Sequence, residues 1–147
     1  MGDDRAELGR LMQRFLRAVS FGEGERPAYG ELRDLFVEGA RLTKTSDAVP
    51  DSATVDAFIG PRQASVDSGA LASFEEVEVG EITEIFGNVA HRFSTYEKRG
   101  ILNGVAINAR GAISTQFIRT PDGWRMSSMA WDDERAGLEL PSRYHAR

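Results

Sequence analysis

Cysteine is absent from this 147-residue chain and histidine occurs only twice. The first absence excludes disulfides, thiol catalysis and cysteine-ligated metal, and the second leaves little imidazole for a metal centre. Positive charge is also short. Lys and Arg number 18 against 23 Asp and Glu, a net charge of −5, and the two signs interleave along the chain. A nucleic-acid or anionic-membrane partner therefore has no electrostatic footprint here. No apolar run approaches membrane-spanning length. The opening residues MGDDRAELGR are acidic and carry no apolar signal region, and Ala6 stands where a myristoylation motif wants Ser or Thr. A cytoplasmic location is the expectation. Phosphate loop, dinucleotide fingerprint, nucleophile elbow and His-Glu-x-x-His are all missing, so neither cofactor nor metal is expected.

What is present is an ordinary globular composition, 41% hydrophobic and 28% charged, in a length that suits one domain over residues 1–147. Leu8, Leu11, Met12, Phe15, Leu16 and Val19 form one apolar stripe at helical spacing. Asp3 or Asp4 can cap that helix, and Gly22 and Gly24 end it. A second helix is expected from Pro27 to about Phe36, then a short strand over Val37–Thr45. A third helix opens at Asp51 or Ser52 and breaks at Gly60-Pro61, where the proline removes a donor and clashes with the preceding turn.

From Ser73 the pattern switches to period two. Phe74–Phe86, Val89–Lys98, Ala106–Arg119 and a last strand after Pro121-Asp122-Gly123 make a four-strand meander. The first strand has an irregularity near Gly80, Gly87-Asn88 turns the chain, and Asn103-Gly104 suits a type I′ hairpin. Helices followed by a meander predict an α+β fold, three N-terminal helices packed on a curved antiparallel sheet with an internal pocket. Residues 141–147 read as a polar tail with His145 solvated.

The order of elements, together with Arg92–Glu97, Arg110-Gly111, Ser114–Phe117, Gly123–Met126 and Trp131–Glu134, resembles the nuclear transport factor 2-like superfamily, the cystatin-like α+β cone. Within it, the resemblance is to a bacterial branch related to the SnoaL-like and ketosteroid-isomerase-like proteins. It implies a cone enclosing a pocket and a homodimer joined through the sheet. The superfamily includes isomerases, dehydratases, epoxide hydrolases, cyclases and non-catalytic binders, so the fold selects no activity. The steroid-isomerase pattern is incomplete, because the first helix carries Phe15 and no tyrosine.

Registering the hairpins sharpens the site. A two-residue loop at Asn103-Gly104 sets Glu97 opposite Arg110, Thr95 opposite Ala112, Phe93 opposite Ser114 and His91 opposite Gln116. A three-residue loop at Pro121–Gly123 sets Thr120 opposite Trp124, Gln116 opposite Ser128 and Ser114 opposite Ala130. One face then gathers His91, Phe93, Thr95, Glu97, Arg110, Ser114, Gln116, Trp124, Ser128 and Asp132, hydrogen-bonding groups with aromatic walls as a ligand site requires. His91, Glu97 and Asp132 are the acid–base candidates; Phe93, Thr95, Arg110, Ser114, Gln116, Trp124 and Ser128 are the binding candidates. A plain strand histidine and a Glu97–Arg110 cross-strand ion pair are the structural alternatives. The opposite face, Ile113, Phe117, Met129 and Trp131, is more apolar than a monomer normally exposes and is read as a homodimer seam. The functional expectation is a small-molecule-binding pocket protein of unspecified ligand. The alternatives are a cofactor-independent lyase, isomerase or hydrolase, and a dimeric protein-interaction module.

Overall fold

The computed structural model describes residues 2–144, so the expectation for His145 lies outside the described residues. Helix α1 spans Gly2–Val19 and buries the whole stripe from Leu8 to Val19. Its first turn is held by the last hairpin rather than by a local cap. The Asp4 carboxylate accepts from Trp124 Nε1 (3.2 Å) and from Arg119 (2.7 Å), and Glu7 accepts from the Trp124 backbone N–H (2.8 Å).

The expected second helix is a 3₁₀ segment, Tyr29–Asp34, that buries Tyr29 and Leu32. It stops because the Leu35 carbonyl is taken by the Met126 N–H at 2.8 Å, which pulls the next residues into the sheet. Strand β1 follows at Phe36–Lys44, and a short β2, Asp51–Ala53, occupies the stretch expected to open the third helix. Helix α2, Val55–Asp67, is capped instead by Thr54, whose side chain accepts from the Ala57 N–H at 3.1 Å. It runs through Pro61 without the expected break. Gly60 has no Cβ to meet the proline ring, and the carbonyl of Ala57 that loses its donor lies on an exposed turn, where water can serve it.

The remaining chain is strand: β3 Leu71–Phe86, β4 Val89–Leu102, β5 Val105–Thr120 and β6 Gly123–Asp133. The sheet has six strands, against the five expected, in the order β2-β1-β6-β5-β4-β3. β1 lies parallel to β6 and every other pairing is antiparallel. Asn103 (φ 53°) and Gly104 (φ 76°) close the expected two-residue turn, since both positions need positive φ. The β4–β5 register is as read from the sequence, with His91 opposite Gln116 and Glu97 opposite Arg110. At the last hairpin the loop is shorter by one, with Thr120 opposite Gly123 and Arg119 opposite Trp124. A bulge at Ser127 then restores the Gln116–Ser128 and Ser114–Ala130 pairs. A second irregularity lies between Glu78 and Gly80 on β3.

The helices cover the face opposite to the one expected. Ile113, Phe117 and Met129 are 2%, 1% and 2% exposed, packed in the core with α1. Trp131 meets the Phe58 ring of α2 edge-on at 5.9 Å. Ile113, Phe117 and Met129 are therefore taken up by the chain's own core, and Trp131 is partly covered by α2, so the face read as a homodimer seam is the one beneath the helices. Burying the more apolar face is what the hydrophobic effect requires when only one side of a sheet is covered. Among the described residues, no helix is long and apolar enough to cross a membrane.

Candidate functional site

Where α1, the 3₁₀ segment and α2 arch over the sheet, the inner face does not close completely. A cavity of about 210 Å³ remains, walled by Phe15 and Val19 of α1, Phe58 of α2, and Phe74, Met129 and Trp131 of the sheet. Tyr29, Lys44, Arg62, Glu76 and Lys98 bring polar atoms into the same lining. Its size is near the small end for ligand sites, and its composition is the usual one, apolar walls with a few convergent polar groups.

Glu76 is the most perturbed of these. It stands on the inner face of β3 beside Phe74, with its backbone N–H donating to Ser20 Oγ at 3.1 Å. Burial pushes its carboxyl up from 4.5 to about 7; nearby Asp133 adds to the rise, while Lys98 and Arg62 oppose it. Lys98 is its cross-strand neighbour, but the ammonium is committed elsewhere, 3.0 Å from Asp133. Among the described residues the Glu76 side chain makes no hydrogen bond or ion pair.

Asp133 is itself held. Tyr96 lies buried across Gly111 and directs its hydroxyl to the Asp132 carbonyl oxygen (2.9 Å) and to the Asp133 carboxylate. Burial, reinforced by these carboxylates, pushes the Tyr96 hydroxyl above its ordinary range. The result is a fixed base of β-strand groups, Tyr96, Lys98 and Asp133, beneath a carboxyl without a partner.

On the helical side, Arg62 donates to the Phe58 carbonyl (3.0 Å) and stacks on the Phe58 ring, its guanidinium carbon 3.7 Å from the centroid. Among the described residues no carboxylate lies within ion-pair distance of it. Burial holds its pKa below the ordinary arginine value, and raises that of Tyr29. The Tyr29 hydroxyl has no hydrogen-bond partner among the described residues.

The residues expected to line a pocket are brought together as a set, but on the outer face. His91 is exposed and 2.7 Å from Glu84, Gln116 accepts from Ser128 Oγ at 2.9 Å, and Ser114 is exposed. Glu97 and Glu134 each lie 3.9 Å from Arg110. Asp132 pairs with Arg135 at 2.7 Å, a contact that holds its carboxyl below the ordinary value. Thr95 Oγ1 donates to the Tyr144 carbonyl at 2.9 Å, and Phe93 lies 5.2 Å from the Tyr144 ring, so the chain's end crosses these two. Trp124 alone is on the inner face, fully buried beneath Arg119 and the start of α1. The cavity groups Tyr29, Arg62, Glu76 and Lys98 were missed. For Glu76 the signal is the parity of β3. Phe74, Glu76 and Glu78 point inward together, whereas Val77 is half exposed; the bulge near Val79 hides this alternation. Among the described residues no group of acidic or histidine side chains is placed to hold a metal ion.

A curved sheet with helices on one side, closing over a cavity, is the architecture of a cone-shaped α+β binding fold. No family model and no curated protein matches the sequence. Solved structures do match, and they give the fold its name, nuclear transport factor 2-like, the one the sequence motifs suggested. One is a protein of this type with a cystatin-like fold from Novosphingobium aromaticivorans (18% identity, 97% of this chain and 86% of that one, TM-score 0.69). A second is a superfamily protein from Salmonella enterica (12%, 95% and 98%, TM-score 0.73). A third, from Streptomyces avermitilis, is of this family and is provisionally assigned as a dehydratase (14%, 92% and 99%, TM-score 0.70).

Proposed function

We propose that this protein binds a small, largely apolar molecule in the internal cavity under α1 and α2. The observation that carries this reading is the cavity's lining. Aromatic and aliphatic walls surround three polar groups, Tyr29, Arg62 and Glu76, that have no ion pair and no hydrogen bond to another side chain among the described residues. Polar groups drawn partly out of solvent cost free energy unless something satisfies them, and a ligand or water is what remains to do so for these, of which Arg62 and Glu76 are half-buried. A cavity of about 150 Å³ takes benzene, so the space here suits one ring with a short substituent.

A second reading follows from Glu76. A carboxyl held near 7 is half protonated at neutral pH and can take or return a proton without a large penalty in either direction. That property, with no cofactor required, fits an isomerase, lyase or hydrolase acting by proton transfer. The likeness to a protein provisionally assigned as a dehydratase supports it in kind. Homodimerisation through the sheet is part of the proposal, now by the outer face, where Ile82, Phe86 and Val89 are exposed.

A thermal-shift and calorimetric screen of one-ring compounds tests the pocket. Hits should be weakened at least tenfold by Met129→Trp, which fills the cavity, and left unchanged by Gln116→Ala on the outer face. The reverse pattern would move the site to the outer face. Turnover of a hit that survives in Glu76→Gln would remove Glu76 from any chemistry. For the dimer, light scattering should give a dimer that Phe86→Asp converts to monomer, and a wild-type monomer would refute it.

A further inference from the structure

We propose that the cavity's ligand is an anion, a one-ring compound bearing a single carboxylate, which Arg62 binds through its free N–H edge while the ring packs on Phe58, Met129 and Trp131. This rests on the binding reading above and names its ligand class.

Three observations lead to it. First, Arg62 lines the cavity and has no carboxylate within ion-pair distance among the described residues, whereas Arg92 and Arg119 each have one. A guanidinium carries five N–H donors, and Arg62 spends only one, on the Phe58 carbonyl at 3.0 Å. Second, its freedom is limited. The contact of its guanidinium carbon over the Phe58 ring (3.7 Å) and its hydrogen bond to the Phe58 carbonyl (3.0 Å) restrain the group, so less rotamer freedom is lost when its remaining donors are engaged. A planar fork held in this way matches the two oxygens of a carboxylate. Third, the other charges of the lining are already neutralised within the chain: Lys44 sits 3.3 Å from Asp47 and Lys98 3.0 Å from Asp133. With Glu76 protonated, Arg62 is the one positive charge of the lining without an ion pair among the described residues, Asp51 acting on it only from beyond ion-pair distance. An anion completes the lining, and a cation or a neutral molecule does not.

The same arrangement links binding to a proton. Glu76 faces Lys98 of β4, Asp133 of β6 and Arg62 of α2, and its ionised form competes electrostatically with a bound carboxylate for Arg62. Affinity for the anion should therefore rise as pH falls from 8 to 6, a range in which a simple carboxylate stays ionised.

The test is calorimetry with phenylacetate, its neutral amide and toluene, at pH 6 and pH 8. Phenylacetate is expected to bind at least tenfold more tightly than phenylacetamide at pH 6, with the preference shrinking at pH 8. Arg62→Met should abolish the preference while still binding toluene, which shows that the cavity persists. Arg62→Lys should restore part of it, since the charge remains and the fork is lost. Glu76→Gln should bind phenylacetate equally at both pH values. Equal affinity for acid and amide, or a preference that survives Arg62→Met, overturns the anion assignment while leaving the pocket reading intact. If toluene, acid and amide all fail to bind, the pocket reading itself falls.

Discussion

Replacing Glu76 by glutamine should stabilise the protein at pH 8 and leave it almost unchanged at pH 4. The residue is half-buried, and the desolvation of its carboxyl sets a folded-state value of about 7, above the ordinary 4.5. The usual carboxylate linkage is therefore inverted. The folded state favours the protonated form, so the group's contribution to stability is fully present below pH 4.5. It is lost as pH rises through 4.5 to about 7, and above that it stays lost. The gap between the two values, at about 1.4 kcal/mol per tenfold change in proton concentration, amounts to about 3 kcal/mol. That is a large fraction of a typical domain's stability. Glutamine keeps the shape and cannot ionise, so its unfolding free energy should follow the wild type below pH 4.5 and exceed it by up to about 3 kcal/mol at pH 8. Urea denaturation of the two proteins at intervals from pH 4 to pH 8 measures the difference directly, and the surface carboxylates Asp4, Asp67 and Asp132 cancel between them. A constant difference across that range would refute the reasoning, because a buried ionising carboxylate cannot give one.

Other parts of the fold invite simpler tests. Arg92 and Glu78 form a bidentate ion pair (3.0 and 2.8 Å) with both side chains nearly buried, and Ser94 donates to the same carboxylate at 2.6 Å. Arg92→Met should cost about 3–5 kcal/mol in denaturant unfolding, since it strands Glu78, and adding Glu78→Leu should recover part of the loss. Thr115 is fully buried beside Met129 with a hydroxyl that has no hydrogen-bond partner among the described residues, so Thr115→Val should stabilise by about 1 kcal/mol and raise the melting temperature by about 2–4 °C. Gly111→Ala should unfold the protein or cost several kcal/mol, because its Cβ would strike the Asp132 carbonyl and the Tyr96 hydroxyl at once. Circular dichroism on heating is enough to see that.

The frame of this protein was legible because its signals are local. The stripe from Leu8 to Val19, the Asn103-Gly104 turn and the period-two run after Ser73 each dictate a backbone by themselves. The pairing of His91 with Gln116 followed from the Asn103-Gly104 turn, whereas that of Ser114 with Ala130 holds only because the bulge at Ser127 offsets a last loop one residue shorter than expected. The side of the sheet that faces the helices did not follow from any turn. Uncharged Ser114, Gln116 and Ser128 looked like a pocket floor, yet Ile113, Phe117, Met129 and Trp131 on the other parity carry far more apolar surface, and that surface decides which face is buried. The same parity carries Glu76 inward. The irregularity between Glu78 and Gly80 interrupts the alternation of β3, so its one carboxyl with unusual chemistry was not singled out. Arg62 was hidden differently. It follows Pro61, where a broken helix was expected, and only the unbroken α2 carries it to the cavity.

Nuclear magnetic resonance of the protein saturated with phenylacetate bears most directly on where a ligand sits. Intermolecular Overhauser effects are expected from the ligand's ring protons to the methyl groups of Ile113 and Met129 on the sheet and Val19 on α1, all of which line the cavity. Effects confined to Ile82, Val89 and Phe93 would place the ligand on the outer face and contradict the site described above.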